Sequence, residues 1–316
     1  MNLFRSCRTL IVFMAFACPV LFLCGCETTQ SGGGSGTNVA ASIIGAAAGS
    51  VIPGPVPAAG IAKAAVAVGK SFQDITPEQE YYIGRAVAAN ILGTYPSASD
   101  ERVNLYLNLL GQTLAQASDR PETFGGYHFI MLDSQEINAF AAPGGLILVT
   151  RGMIRLCKSE DALAAVLAHE IAHVQGQHGL RAIKTSRLTS AFTILATETA
   201  KAYSPAQISQ LTEAFEGSIG DITTSLMNNG YSRDLEREAD KGAAAILVRV
   251  GYDPNALISM LSEMQKQVKP GGPGFGKTHP DPKDRIADLK SVAGGKPSQA
   301  SAATRQKRFD AAVSGV

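Results

Sequence analysis

His169-Glu170-Ile171-Ala172-His173 sets two imidazoles four positions apart, with a carboxylate directly after the first. On an α-helix, positions i and i+4 share a face, so the two rings reach one point in space from adjacent turns. Neutral imidazole nitrogens at that spacing suit zinc, which in hydrolytic sites takes three protein ligands and keeps a fourth position for water. Glu170 lies about 100° around the helix from His169, beside the ligands, where a base for that water belongs. Only five histidines occur in the 316 residues, so chance is a poor explanation for the pair.

The third ligand has to come from another element. Tyr231-Ser232-Arg233-Asp234-Leu235-Glu236-Arg237-Glu238-Ala239-Asp240 reads as a second helix on which Glu236 and Asp240 are again i, i+4. Glu236 is the candidate ligand. Asp240 is placed to accept the outer ring N–H of a ligand histidine and so fix its tautomer. Arg237 and Glu238 point away from that face and read as solvated charge.

These residues need helices to carry them, and the chain supplies start signals. Ser159 is a candidate N-cap for the metal helix, where Leu163, Leu167, Ile171 and Val174 form an apolar stripe and Gly176 marks the end. Thr76-Pro77-Glu78-Gln79 opens an earlier helix through a capping box with proline at its first position. Val103, Leu107, Leu110 and Leu114 predict a helix over 100–117, and Tyr127–Leu132 and Leu146–Thr150 read as short strands. Ser204-Pro205-Ala206-Gln207 repeats the capping signal. The stripe Ile208, Leu211, Phe215, Ile219, Ile222 and Leu226 after it fits either a lid over residues 204–228 or ordinary core packing. A further helix is expected from about Pro254 to Val268, followed by a Gly/Pro loop to Lys277.

His169-Glu170-x-x-His173 followed by Glu236-x-x-x-Asp240 is preceded by Asn138-Ala139-Phe140-Ala141-Ala142-Pro143-Gly144-Gly145 and followed by His279-Pro280 and Arg285. Together these blocks resemble the gluzincin zinc metallopeptidases of the CAAX prenyl protease and HtpX-like family, in its periplasmic lipoprotein branch, over about residues 77–289. The resemblance implies a mostly helical α+β, zincin-like domain with a small β-sheet and an active-site helix. It implies one Zn2+ per chain and an endopeptidase that hydrolyses misfolded or unassembled exported and outer-membrane proteins in quality control. It places Asn138, Gly144 and Gly145 on an edge strand that pairs with an extended substrate, although Asn138 also suits a turn cap.

Two catalytic candidates come from the same blocks. His279 either stabilises the oxyanion or swings in as a fourth zinc ligand that holds the enzyme latent, and a structural cap before Pro280 is a further reading. Arg285 either stabilises the oxyanion or orients acidic groups near the metal. Tyr231 reads as packing, with oxyanion donation as an alternative. His128 and His178 are left outside the site. The rival function is a chaperone or assembly adaptor for outer-membrane proteins on a zinc-peptidase fold; the intact Glu170 weighs against it.

At the N-terminus, Arg5 and Arg8 precede an apolar run from Leu10 to Leu23 that ends in Leu23-Cys24-Gly25-Cys26. This reads as a lipoprotein signal over 1–25, with Cys26 acylated and anchored in a lipid membrane. Glu27, where aspartate favours inner-membrane retention, points to the outer membrane facing the periplasm. Residues 26–70 read as a Gly/Ala/Pro-rich tether, 71–292 as the peptidase domain and 293–316 as a disordered tail. The 28 basic and 27 acidic residues become 26 and 27 once Arg5 and Arg8 are removed. That near-neutral balance gives no electrostatic basis for binding nucleic acid. Cys157 then has no cysteine partner and reads as a buried hydrophobe.

Overall fold

In the computed structural model, residues 75–183, 205–267, 274–279, 282–290 and 301–316 are described. The lipoprotein signal, Cys26, the tether, the Ser204 cap and Pro280 lie outside the described residues. Helix α1 (Pro77–Thr94) opens as expected, with Thr76 Oγ1 accepting from the Gln79 amide at 3.2 Å and Gln79 Oε1 accepting from the Thr76 amide at 2.9 Å. Helix α2 (Glu101–Gln116) is capped by Asp100 and buries Val103, Leu107, Leu110 and Leu114.

Three strands follow: β1 (His128–Leu132), β2 (Ala139–Ala142) and β3 (Leu146–Thr150), in the spatial order β1-β3-β2. β1 runs parallel to β3 and β2 antiparallel to it. β2 is an edge strand of this sheet, paired only with β3 among the described residues, but the exposure expected at 138–145 is corrected, because every residue of β2 is buried. Ala139 and Ala141 join one apolar cluster while Phe140 and Ala142 join another, so both faces of the strand are covered. The turn Pro143–Gly145 is also buried. There Gly144 has φ 77°, and a Cβ on it would meet the Tyr81 backbone of α1 at 3.0 Å.

After α3 (Arg151–Leu156), Ser159 caps the metal helix α4 (Glu160–Gln175) by accepting from the Ala162 amide at 3.2 Å. α4 is buried along nearly its whole length, with Leu163, Ala164, Leu167 and Ala168 fully inaccessible. A short helix α5 (His178–Arg181) follows. Helix α6 (Pro205–Thr224) runs into one π-helical turn (Ser225–Asn229). Ile219, Ile222 and Leu226 pack with Ile83, Val87 and Ile91 of α1, so core packing accounts for this part of the stripe.

Helix α7 (Arg233–Val250) is the most extensive neighbour of α4. A Cβ on its Gly242 would come within 2.9 Å of Ala172 Cβ, which shows how closely the two backbones approach. Helices α8 (Asn255–Gln267), α9 (Phe275–Thr278) and α10 (Pro282–Leu289) complete the surroundings of the site. The arrangement is the mostly helical α+β fold expected, with one small sheet. No helix among the described residues is long and apolar enough to cross a membrane.

The disordered tail is a second correction, since helix α11 (Ala302–Val313) lies within it. Phe309 and Ala312 are buried in the main core. Arg305 pairs with Asp161 at 2.6 Å, and Arg308 reaches the fully buried Glu160, which also accepts from Tyr106 and Tyr252 at 3.0 and 2.7 Å. A buried carboxylate needs compensating charge. Composition rich in Ala, Ser and Lys concealed these four anchoring positions.

Candidate metal centre

Helices α4 and α7 bring His169, His173 and Glu236 together, and the segment after α9 adds His279. One donor atom from each of these four buried residues lies within 4.8 Å of the others. The two Nε2 atoms of His169 and His173 are 3.0 Å apart. Glu236 Oε2 is 3.5 Å from His169 Nε2, and Oε1 is 3.6 Å from His173 Nε2. His279 Nδ1 is 2.9 Å from Glu236 Oε1.

The residues behind this cluster orient it. Asp240 Oδ1 lies 3.1 Å from His169 Nδ1, the position expected of a tautomer-fixing acceptor. Arg285 holds the same carboxylate from Nε at 2.9 Å and Nη2 at 2.6 Å, and its Nη1 lies 3.4 Å from Glu236 Oε2. Of the two roles weighed for Arg285, orientation of acidic groups matches these contacts. Tyr231 stacks on the His173 ring at 4.4 Å and 21°, which matches packing.

Electrostatics sort the groups by task. Burial alone disfavours charge on Glu236, but His279, Arg285 and the hydrogen-bonding histidines hold its carboxyl well below the usual range. Asp240 is likewise lowered to about 2, with Arg285 and His169 overcoming burial. Burial and Arg285 work against a proton on His169, yet Asp240 and Glu236 outweigh them and raise it to about 9. Burial and the neighbouring His169 push His173 well down, leaving it neutral. Glu170 is raised, mainly by burial against the pull of His169. A raised carboxyl beside a ligand cluster is suited to accept and return a proton.

A metal fits this donor set. Two imidazoles and an ionised carboxylate converge on one point, and Glu236 Oε2 and Glu170 Oε1 are buried without hydrogen-bond partners among the described residues. A buried carboxylate oxygen without a hydrogen bond is costly unless an ion or water completes it, and the ion-pair contacts of Arg285 and His169 reach only the Glu236 oxygen.

The blocks around the cluster close it. The Phe275 amide donates to Ile137 O at 2.8 Å, just before β2, and the Phe275 ring stacks on His279 at 3.8 Å. Asn138 is buried, and its Oδ1 accepts from the Ala139 amide at 2.9 Å and from Thr278 Oγ1 at 3.3 Å. It therefore ties the start of the strand to the segment that carries His279. Gly144 and Gly145 are buried in the turn after β2, packed against Tyr81 and Tyr127.

Two residues left outside the site belong beside it. His178 is fully buried, with Nδ1 2.8 Å from Nδ1 of His173. Glu238, read as solvated, is half-exposed but places Oε1 3.4 Å from His178 Nε2 and Oε2 2.9 Å from Arg181. The sequence did carry a signal, a histidine two residues past the glycine that ends the metal helix. His128 lies on β1, exposed, and takes no part.

Fold and cluster define a gluzincin metallopeptidase. Residues 101–293 match the sequence profile of peptidase family M48, more than half of the chain, and the chain belongs to that family. It is similar to the beta-barrel assembly-enhancing protease of Escherichia coli K12, 28% identical over 217 residues covering 68% of this chain and 44% of that protein. The putative beta-barrel assembly-enhancing protease of Vibrio cholerae is 32% identical over 226 residues, 69% of this chain and 45% of the relative. The mitochondrial metalloendopeptidase OMA1 of Schizosaccharomyces pombe is 33% identical over 159 residues, 48% and 42% of the two chains. The chain spans less than half the length of these relatives.

Proposed function

We propose that this chain is a zinc-dependent endopeptidase of the bacterial periplasm, held to the outer membrane through acylated Cys26 and acting on misfolded or unassembled exported proteins. The observation that carries the reading is the convergence of His169, His173, Glu236 and His279 with Glu170 buried alongside. In it, residues 1–25 are the export signal, 26–70 the tether and 71–292 the peptidase domain. The names of the bacterial relatives support outer-membrane proteins as the substrate class.

His169, His173 and Glu236 would hold one zinc per chain, which when bound polarises the scissile carbonyl and makes its water acidic. Glu170 takes the water proton and passes it to the leaving amine, a role its raised carboxyl suits. Asp240 keeps His169 turned toward the cluster, and Arg285 keeps Asp240 and Glu236 ionised. His279, hydrogen-bonded to Glu236 and backed by Phe275, holds the resting site closed until its segment moves away from Ile137. The substrate then takes the place of that segment along the start of β2.

The test is metal analysis of the purified protein coupled to cleavage of an unfolded outer-membrane β-barrel protein. About one zinc per chain with chelator-sensitive cleavage is the expected result. An adaptor would bind the polypeptide and leave it intact, and a protein without stoichiometric metal would end the proposal.

A further inference from the structure

The metal helix ends in a turn whose backbone is bent against local preference. Gln177 has φ 52° and ψ 33°, and it is the one residue other than glycine among the described residues with positive φ. An L-residue with a long side chain adopts this left-handed conformation at a cost of about 1 kcal/mol or more, so the surrounding structure must hold it there. The residue before it is Gly176, where a Cβ would fall 2.3 Å from His178 Nε2. Glycine and the left-handed residue together fold the chain back sharply enough to put His178 beneath the helix it has just left. The result is the 2.8 Å approach of the two Nδ1 atoms, with the rings edge to face at 4.9 Å and 81°.

We propose that His178, held from outside by Glu238, is the positioning residue for His173. The inference rests on the zinc reading above and extends it to a residue pair outside the ligand set. The bond between two Nδ1 atoms needs one hydrogen. A His173 that ligates through Nε2 keeps its own hydrogen on Nδ1 and donates it to His178 Nδ1. His178 then carries its hydrogen on Nε2, which lies 3.4 Å from Glu238 Oε1, within ion-pair reach but not hydrogen-bonded to it. With His173 ligating through Nε2, the bond between the two Nδ1 atoms sets the tautomer of each ring, and the Glu238 carboxylate lies on the far side where it favours the hydrogen on Nε2. The arrangement is the counterpart, on the second ligand, of the direct contact between Asp240 and His169. Tyr231, stacked on His173 and edge-on to His178, prevents either ring from turning out of this alignment.

The test measures zinc affinity of the full-length protein by competition with a chromophoric chelator, for wild type, His178→Leu, His178→Asn and Glu238→Ala. Loss of such an outer partner typically weakens metal binding 10–100-fold, and that is the expectation for His178→Leu. His178→Asn offers an amide oxygen where Nδ1 stood and should recover most of the affinity, a rescue that mere packing would not give. Cobalt substituted for zinc reports the same change in its visible spectrum, shifted in His178→Leu and close to wild type in His178→Asn. A folded His178→Leu variant that binds zinc within twofold of wild type overturns the proposal. Should His178→Leu fail to fold, Glu238→Ala decides: a severalfold weaker affinity supports the contact chain, and an unchanged one overturns it. Wild type without zinc affinity would remove the metal reading and this one together, whereas tight binding in every variant removes only this one.

Discussion

His279 donates from Nδ1 to Oε1 of Glu236 across 2.9 Å, so a residue from one end of the domain occupies the carboxylate that a metal would claim. Hydrogen bonds to charged groups contribute about 1.5–3 kcal/mol. Removing one that favours the closed site should shift the balance toward the open site by roughly tenfold or more. His279→Ala is therefore expected to cleave a short fluorogenic peptide faster than wild type at equal zinc content. Slower cleavage would reassign His279 to oxyanion stabilisation.

Glu170 ligates nothing in this arrangement, and one of its carboxylate oxygens has no hydrogen-bond partner. Glu170→Gln keeps the shape and removes the base. Cleavage should fall about 10²–10⁴-fold while zinc content stays at the wild-type level. Equal loss of metal would move Glu170 into the coordination set.

Arg285 is buried between Asp240 and Glu236. Taking the guanidinium away leaves two buried carboxylates without their cation, which costs about 3–5 kcal/mol. Urea unfolding of zinc-free Arg285→Ala should show this loss directly. A variant as stable as wild type but inactive would instead favour contact with substrate.

Phe309 anchors the C-terminal helix in the core. Phe309→Ala should destabilise the domain by about 3–5 kcal/mol. Denaturation midpoints at neutral pH check this, and an unchanged midpoint would show that the helix is not docked in solution.

Burial raises the Cys157 thiol from 9.0 to about 12, and Tyr95 and Tyr127 rise from 10.0 to about 12. An acid whose folded-state pKa is raised adds stability that is fully present below its unfolded pKa and is lost as pH climbs through the folded value. Stability should thus begin to fall near pH 9, with Cys157 contributing at most about 1.4 kcal/mol per pH unit before the tyrosines join near pH 10. Cys157→Ala should delay the onset by about one pH unit in urea titrations across pH 8–11.

The ligand set was legible because its geometry is local. His169 with His173, and Glu236 with Asp240, are pairs whose faces follow from helical periodicity alone, and the caps at Thr76 and Ser159 are one-turn signals. Strands β1 and β3 were legible for the same reason. The burial of β2 was not legible, since no local pattern shows that both faces of an edge strand are covered, and helix α11 was hidden by composition.

The sequence by itself thus determined which side chains are candidates for the chemistry and the elements that carry them, because those properties are set within a few residues. Tertiary structure alone decided that His178 and Glu238 stand behind His173, that Arg285 joins Asp240 to Glu236, and that His279 reaches Glu236. Each of those contacts depends on how α4, α5, α7 and the segments around α9 and α10 pack. Packing is settled by burial and close approach over the whole domain, which no spacing along the chain encodes.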